Sequence, residues 1–107
     1  MNKRIWKYQI PIADDFRLKM PDGARILTVQ IQEGGPCIWA VEDPEAVPRI
    51  YHFRIVGTGH EFSTEGWIYI GTFQSPPFVW HLLVKERNPS VIPWESIGVP
   101  QGGYDKK

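Results

Sequence analysis

Glycine and proline interrupt this chain so often that little room is left for helices. Each of the two residues occurs ten times in 107 residues. Both are unfavourable inside a helix, and short isolated segments do not form stable helices. The runs between the interruptions are rich in Ile, Val, Trp, Tyr, Phe and Thr, which favour pleated and half-buried strands. The sequence therefore predicts an all-β domain.

Seven of these runs are predicted to be strands, separated by turn residues such as Asp, Gly and Pro. The predicted strands are Ile5–Ile10, Phe16–Met20, Arg25–Gln32, Pro36–Val41, Arg49–Val56, Trp67–Gln74 and Phe78–Val84. A hairpin is expected at Gln32–Pro36, because its Gly-Gly pair tolerates positive φ. A wider turn is expected at Gln74–Pro77, because proline removes backbone donors. We expect an antiparallel sandwich or small barrel of about seven short strands.

Alternation along the strands predicts which side chains share a face. The groups expected to lie on a common face are Phe16, Leu18 and Met20; Leu27, Val29 and Ile31; Tyr51, Phe53 and Ile55; and Trp67, Tyr69 and Phe73, opposite Ile68, Ile70 and Thr72. Some strands are apolar on both faces. Such strands lie at the centre of a sandwich or contact a partner, so we expect a homo-oligomer.

Length and charge limit the possible partners. Lys plus Arg equals Asp plus Glu, at twelve each, so the chain lacks the positive charge typical of proteins that bind duplex nucleic acid. No apolar run approaches the length of a membrane span or of a signal peptide. Cys37 is the only cysteine, which favours a reducing compartment. These features predict a cytoplasmic protein that binds neither a membrane nor duplex nucleic acid.

The composition changes towards the C-terminus. We predict an all-β domain over residues 1–85, followed by a tail over residues 86–107 that is rich in Pro and Gly. Within this tail Pro93–Ile97 is predicted to form a short element, since proline is favourable at the first position of a helix. Trp94 and Ile97 would dock the tail on the domain or on a neighbouring subunit.

Neither a metal site nor a catalytic site is predicted. His52, His60 and His81 are the only histidines, and together with Cys37 they lack the paired spacing of zinc ligands. Ser63, Thr64, Glu61 and Glu65 lie near His60 in the sequence, yet nothing in this segment has the spacing of a catalytic set. We therefore predict no cofactor and no enzymatic activity, with an enzyme as a minor alternative.

The loop that begins Gly57-Thr58-Gly59-His60 is the best candidate for a binding site. It lacks the third glycine and following helix of a dinucleotide fingerprint, and the lysine of a P-loop. One interpretation is a hairpin turn and nothing more. The other is a site in which backbone amides and Thr58 bind an anion. In that site His60 and Arg54 add charge-assisted hydrogen bonds and Trp67 stacks on a base.

Six motifs in a fixed order give the chain a resemblance to a known family. They are Ile5-Trp6-Lys7-Tyr8, Met20-Pro21-Asp22-Gly23-Ala24, Pro36-Cys37-Ile38-Trp39-Ala40, Gly57-Thr58-Gly59-His60, Tyr69-Ile70-Gly71-Thr72-Phe73-Gln74 and Trp80-His81-Leu82. They resemble a family of short proteins of unknown function that occurs in phages and in bacterial genomes carrying phage genes. The resemblance covers about residues 5–84. It implies a phage setting and carries no catalytic assignment.

These observations lead to two hypotheses of different classes. The first is a non-catalytic, phage-encoded binding protein in the host cytoplasm that sequesters a small anionic ligand, a nucleotide-type immune signal, at Arg54, Gly57, Thr58, Gly59, His60 and Trp67. The second is a protein-binding or virion accessory module that uses an exposed sheet face or edge.

Overall fold

The computed structural model describes residues 2–86, and in this range the chain forms seven antiparallel strands and no helix. The strands are β1 (Arg4–Gln9), β2 (Asp15–Pro21), β3 (Arg25–Gln32), β4 (Gly35–Glu42), β5 (Pro48–Gly57), β6 (Trp67–Ser75) and β7 (Phe78–Lys85). Each differs from its predicted bounds by at most one residue at either end. The all-β prediction is confirmed. The predicted element Pro93–Ile97 and the docking of the tail lie outside the described residues.

The strands form two sheets that enclose one core. A three-stranded sheet has the order β1-β4-β3, and a four-stranded sheet has the order β2-β5-β7-β6. Val29 and Ile38 of the first sheet pack with Phe53, Phe73 and Leu82 of the second. The architecture is therefore the sandwich rather than the barrel. Among residues 2–86 no helix has the length and apolarity needed to cross a membrane.

Both predicted hairpins are present, and both have two-residue loops. Gln32 pairs with Gly35, and between them Glu33 and Gly34 have φ of 53° and 88°. Positive φ at both central positions is typical of a type I′ turn, whose twist matches that of the strands. The second hairpin is tighter than predicted, because Ser75 pairs with Phe78 around Pro76–Pro77, which are joined by a cis peptide bond.

Alternation predicted the buried faces where the strands are regular. Phe16, Leu18 and Met20 face the core, as do Tyr51, Phe53 and Ile55, so these two groups are confirmed.

The prediction was wrong for β3 and β6, where a bulge shifts the register. In β3 the shift falls between Ile26 and Thr28, which leaves Leu27 45% exposed while Ile26 packs against the core. Ile31 is also exposed, so only Val29 of the predicted group is buried.

In β6 the register shifts between Tyr69 and Gly71. Phe73 is therefore buried in the core, while Thr72 pairs with His81 on the outer face that also carries Tyr69. An alternating pattern cannot show such a shift, because the extra residue only becomes apparent once the partner strand is known.

The segment between β5 and β6 is a crossover and not a hairpin. In the four-stranded sheet β7 lies antiparallel between these two strands, which therefore run parallel to each other. Residues 58–66 thus run from one end of β7, beside Trp80, to its other end, beside Lys85. The backbone amide of Thr58 donates to the carbonyl of Val79 at 3.2 Å and so joins the start of this segment to β7. We refer to residues 57–66 as the crossover loop. The interpretation of this segment as a hairpin turn is wrong.

Candidate functional site

The start of the crossover loop brings together four of the predicted site residues. Gly59 has φ of 93°, which lets the chain reverse, and the amide of His60 donates to the carbonyl of Gly57 at 3.1 Å. The His60 ring folds back over Gly57, so a Cβ placed on this glycine would meet His60 Nδ1 at 3.1 Å. Thr58 is anchored to β7 by its amide. Gly57, Thr58, Gly59 and His60 therefore form one compact corner at the end of the sheet.

This corner is one wall of a surface pocket of about 340 Å³. The pocket is completed by one residue from each of β5, β6 and β7 and by one further residue of the crossover loop, which are Val56, Tyr69, His81 and Phe62. Phe62 and Tyr69 are both exposed, so two aromatic rings are accessible beside the glycine corner. We call this space the loop pocket.

His81 is the centre of a hydrogen-bonded cluster at the base of the loop pocket. Its Nε2 lies 2.7 Å from Thr58 Oγ1. Its Nδ1 lies 2.8 Å from the Tyr69 hydroxyl and 3.1 Å from Thr72 Oγ1. The hydroxyls of Tyr69 and Thr72 are also hydrogen-bonded to each other. Both ring nitrogens of His81 are thus engaged, and they join the loop to β6 and β7.

One arrangement of protons satisfies the whole cluster. Thr58 Oγ1 donates to the carbonyl of Val79 at 3.3 Å, so it accepts a proton from His81 Nε2. A neutral imidazole with the proton on Nε2 has an acceptor at Nδ1, which takes the hydroxyl of Tyr69. Thr72 then donates to Tyr69. The cluster forms a continuous donor chain that ends on a backbone carbonyl.

Arg54 and Trp67, the other two predicted site residues, contact each other beside the loop pocket and do not line it. The guanidinium carbon of Arg54 lies 4.8 Å from the centre of the Trp67 ring, and Nζ of Lys85 lies 5.1 Å from it. The ring of the buried His52 meets the same indole edge-on, with centroids 5.1 Å apart. A base that stacked on Trp67 would have to share or displace these cations.

Arg54 does line a second pocket, of about 500 Å³, that adjoins the first. The two pockets share Val56, Gly57, His60 and Phe62. The second also carries three carboxylates, those of Asp14, Asp15 and Glu61, against the single guanidinium of Arg54. His60 thus stands at the boundary between an uncharged pocket and an acidic one.

Sequence reasoning missed Phe62, Tyr69 and His81. His81 was considered only as a zinc ligand, and Tyr69 only as a core residue. Alternation on β7 does place His81 on the face opposite Leu82, which is a signal that it points away from the core. Its contact with Thr58 requires the order β5-β7-β6, which a sequence pattern does not show.

The histidines and Cys37 do not form a group of metal ligands within residues 2–86. His81 lies in the hydroxyl cluster, and Nε2 of His52 lies 3.5 Å from Asp15 Oδ1. Cys37 is buried in the other sheet. Over residues 2–86 no three His, Cys, Asp or Glu side chains are grouped as metal ligands.

The fold and the pocket define a small two-sheet β-sandwich domain with an aromatic and hydroxyl-rich pocket under a crossover loop. The chain belongs to the family described as a domain of unknown function, DUF7352, whose model matches residues 1–91. The match is longer than the predicted resemblance and includes the first residues of the predicted tail. Comparison with curated proteins and comparison with solved structures both gave no match.

Proposed function

We propose that this chain is a non-catalytic binding protein for a small, nucleotide-like ligand held at the crossover loop. The observation that carries this proposal is the loop pocket, in which the predicted residues Gly57, Thr58, Gly59 and His60 meet two exposed aromatic rings. Its volume, about 340 Å³, lies at the lower end of the range for small-molecule sites. Aromatic faces stack with planar groups, and the loop supplies polar groups at the same place.

In this proposal the residues have separate roles. Phe62 and Tyr69 stack on the planar part of the ligand. Thr58 and the backbone of the glycine corner contact its polar atoms, and His60 stands at the rim, where it donates to an anionic group. Arg54, the single guanidinium of the adjoining pocket, offers a charge-assisted hydrogen bond to an anionic group at the rim. Trp67 holds Arg54 in place through the cation–π contact.

The hydrogen bonding of His81 is compatible with binding without catalysis. A histidine that activates a hydroxyl as a nucleophile needs an unprotonated nitrogen facing that hydroxyl. In the donor chain described above, His81 Nε2 carries the proton and donates it to Thr58. Thr58 then donates to a backbone carbonyl, so its hydroxyl is held as a structural link and as a ligand contact.

The biological setting in this proposal is a phage protein that acts in the cytoplasm of the bacterial host. The ligand would be a nucleotide-type immune signal, which the protein sequesters without turning it over. The support for this setting is the ordered series of motifs that resembles phage proteins of unknown function. A protein that acts by sequestration needs a pocket that fits the ligand and enough protein molecules to bind it, and it needs no catalytic groups.

A thermal-shift screen tests the proposal. The panel contains cyclic dinucleotides, cyclic trinucleotides and ADP-ribose derivatives. Saturation with a tight ligand raises stability by about 3–4 kcal/mol when its concentration is several hundred times the dissociation constant. We expect one class to give such a shift without being consumed. Absence of a shift with every member rejects the proposal, and turnover of the ligand replaces it with an enzyme.

His60 is the residue that links the ligand to the loop. We expect His60→Ala to weaken binding of an anionic ligand by about 1.5–3 kcal/mol, the usual value for a hydrogen bond to a charged group. Thr64→Ala is the control, because Thr64 lies in the same loop but outside both pocket linings. Parental affinity in His60→Ala would remove this histidine from the site.

The second candidate function is a protein-binding or virion accessory module. The observation that favours it is β1, an edge strand that exposes Ile5 (61%) and Trp6 (47%) on its two faces. An exposed edge offers unpaired backbone groups for strand addition. A second copy of the chain is one partner that fits, which is the homo-oligomer expected from the sequence. A pull-down that depends on Ile5 and Trp6, together with no shift in the nucleotide screen, favours this candidate.

A further inference from the structure

We infer that the part of the ligand inside the loop pocket is an uncharged planar heterocycle, and that Thr58 and Tyr69, positioned by His81, determine which heterocycle is bound. This inference rests on the proposed function and narrows it. It assigns the phosphates of a nucleotide to the rim or the solvent rather than to the pocket.

The charges around the loop pocket favour an uncharged group inside it. Among the described residues that line the loop pocket, none is a Lys, Arg, Asp or Glu. A buried phosphate needs compensating cations or several aligned donors. The nearest charged groups are those of the adjoining pocket, where the carboxylates of Asp14, Asp15 and Glu61 outnumber Arg54. A phosphate inside that pocket would meet more negative than positive charge, so phosphates are expected at the rim beside His60 rather than inside either pocket.

The shape and surface of the loop pocket fit one planar group. Phe62 and Tyr69 provide exposed ring faces, and Val56 provides an apolar floor. Stacking of a base on a protein ring contributes about 1–3 kcal/mol and needs no charge. At about 340 Å³ the pocket lies at the lower end of the range for small-molecule sites, which fits one planar group better than a whole cyclic dinucleotide.

The hydroxyl cluster makes the loop pocket selective, because it holds the oxygen atoms of the hydroxyls in fixed directions. A hydroxyl that rotates freely adapts to any partner, whereas the hydroxyls of Thr58 and Tyr69 are both tied to His81, at 2.7 and 2.8 Å. Each therefore presents its remaining lone pair to the pocket in a set direction. A site that hydrogen-bonds its ligand in this way rejects analogues that leave those groups unpaired.

Isothermal titration with matched probes tests the inference. The probes are adenosine, guanosine, their mono-, di- and triphosphates, and ribose 5-phosphate. We expect one nucleoside to bind within about a hundredfold of its monophosphate, because the first phosphate gains only the hydrogen bond from His60 at the rim. The second and third phosphates should add nothing, and ribose 5-phosphate should not bind. Adenosine or guanosine affinity should be unchanged between low and high salt, because no exposed charge pair is formed.

Two variants test the roles of the hydroxyls. Tyr69→Phe keeps the stacking ring and removes the group that contacts His81 Nδ1, and Thr58→Val keeps the shape and removes the group at Nε2. We expect each to change the ratio of adenosine to guanosine affinity by about tenfold, with Thr58→Ser restoring the parental ratio. Thr28→Val on the other sheet is the control and should leave the ratio unchanged.

The outcomes separate the inference from the proposed function. Tight binding of ribose 5-phosphate, or about a tenfold gain in affinity for each added phosphate, would overturn the inference while leaving nucleotide binding in place. An unchanged base ratio in both variants would overturn the assigned roles of Thr58 and Tyr69. Absence of binding by every probe would overturn the inference, while the proposed function is decided separately by the thermal-shift screen.

Discussion

At the scale of single residues, Glu42 is a buried side chain that depends on specific hydrogen-bond partners. Its side chain is fully buried at the end of β4, where it accepts a hydrogen bond from Arg4 Nε at 2.9 Å and another from the Tyr8 hydroxyl. A buried charge is costly unless such partners are present. Burial, together with the hydrogen bond to Glu42, raises the pKa of Tyr8 above its ordinary value.

The prediction at this scale concerns Tyr8 and pH. At neutral pH, Tyr8→Phe should lower the free energy of unfolding by about 1.5–3 kcal/mol, because a hydrogen bond to a charged group is lost. The folded-state pKa is raised, so this contribution is complete below the unfolded pKa of tyrosine, about 10, and declines as the pH rises above it. Urea unfolding of both proteins across alkaline pH should therefore show their difference shrinking. A difference that stays constant would contradict this assignment.

At the scale of elements, local sequence predicted the strands but not the bulges. The strand bounds follow from Gly and Pro breaks and from β-branched and aromatic runs, all of which are local signals. The bulges at Leu27 and at Ile70–Gly71 depend on partners that are distant in the sequence. Gly71 illustrates this dependence on a distant partner, because a Cβ there would lie 3.1 Å from Val29 Cγ1 in the opposite sheet. The sheets approach closely at this point, and glycine allows it.

Gly71→Ala is therefore expected to destabilise the fold by about 1–3 kcal/mol, the usual cost of overpacking a core. Val29→Ala removes the methyl group that the new Cβ would meet. The double variant should be more stable than the sum of the two single changes predicts, by roughly 0.5 kcal/mol or more. Denaturant unfolding of the four proteins measures this coupling. Additive effects would show that the two strands adjust independently.

The crossover loop is the other element that depends on a glycine. A Cβ at Gly57 would lie 3.1 Å from His60 Nδ1, so Gly57→Ala should turn the exposed imidazole away. We expect stability to change by no more than about 0.5 kcal/mol, while affinity for an anionic ligand falls about tenfold. Gly35→Ala is the matched control, because a Cβ there meets nothing within 4 Å. Equal affinities in the two variants would separate the His60 ring from ligand binding.

At the scale of the whole molecule, the candidate site is assembled by sheet order. Thr58 follows β5, Tyr69 lies on β6 and His81 on β7, and they meet because β7 separates the other two strands. Sequence reasoning found the loop residues, which are contiguous, and missed the residues that only topology brings to them. It also grouped Arg54 and Trp67 with the loop because both lie near it in the sequence. The structure places them together, beside the loop pocket.

The last prediction concerns assembly through β1. Within residues 2–86 this edge strand exposes Ile5 and Trp6 and has no strand paired along its free side, so a second copy is expected to pair with it antiparallel. Light scattering should give the mass of a dimer or a larger oligomer at micromolar concentration. Ile5→Lys combined with Trp6→Lys should give a monomer, because charges on both faces of the edge oppose pairing. Val47→Lys is the control, since Val47 is 57% exposed but lies outside the strands. A parent protein that remains monomeric would exclude β1 as a self-association edge and leave it to a different partner.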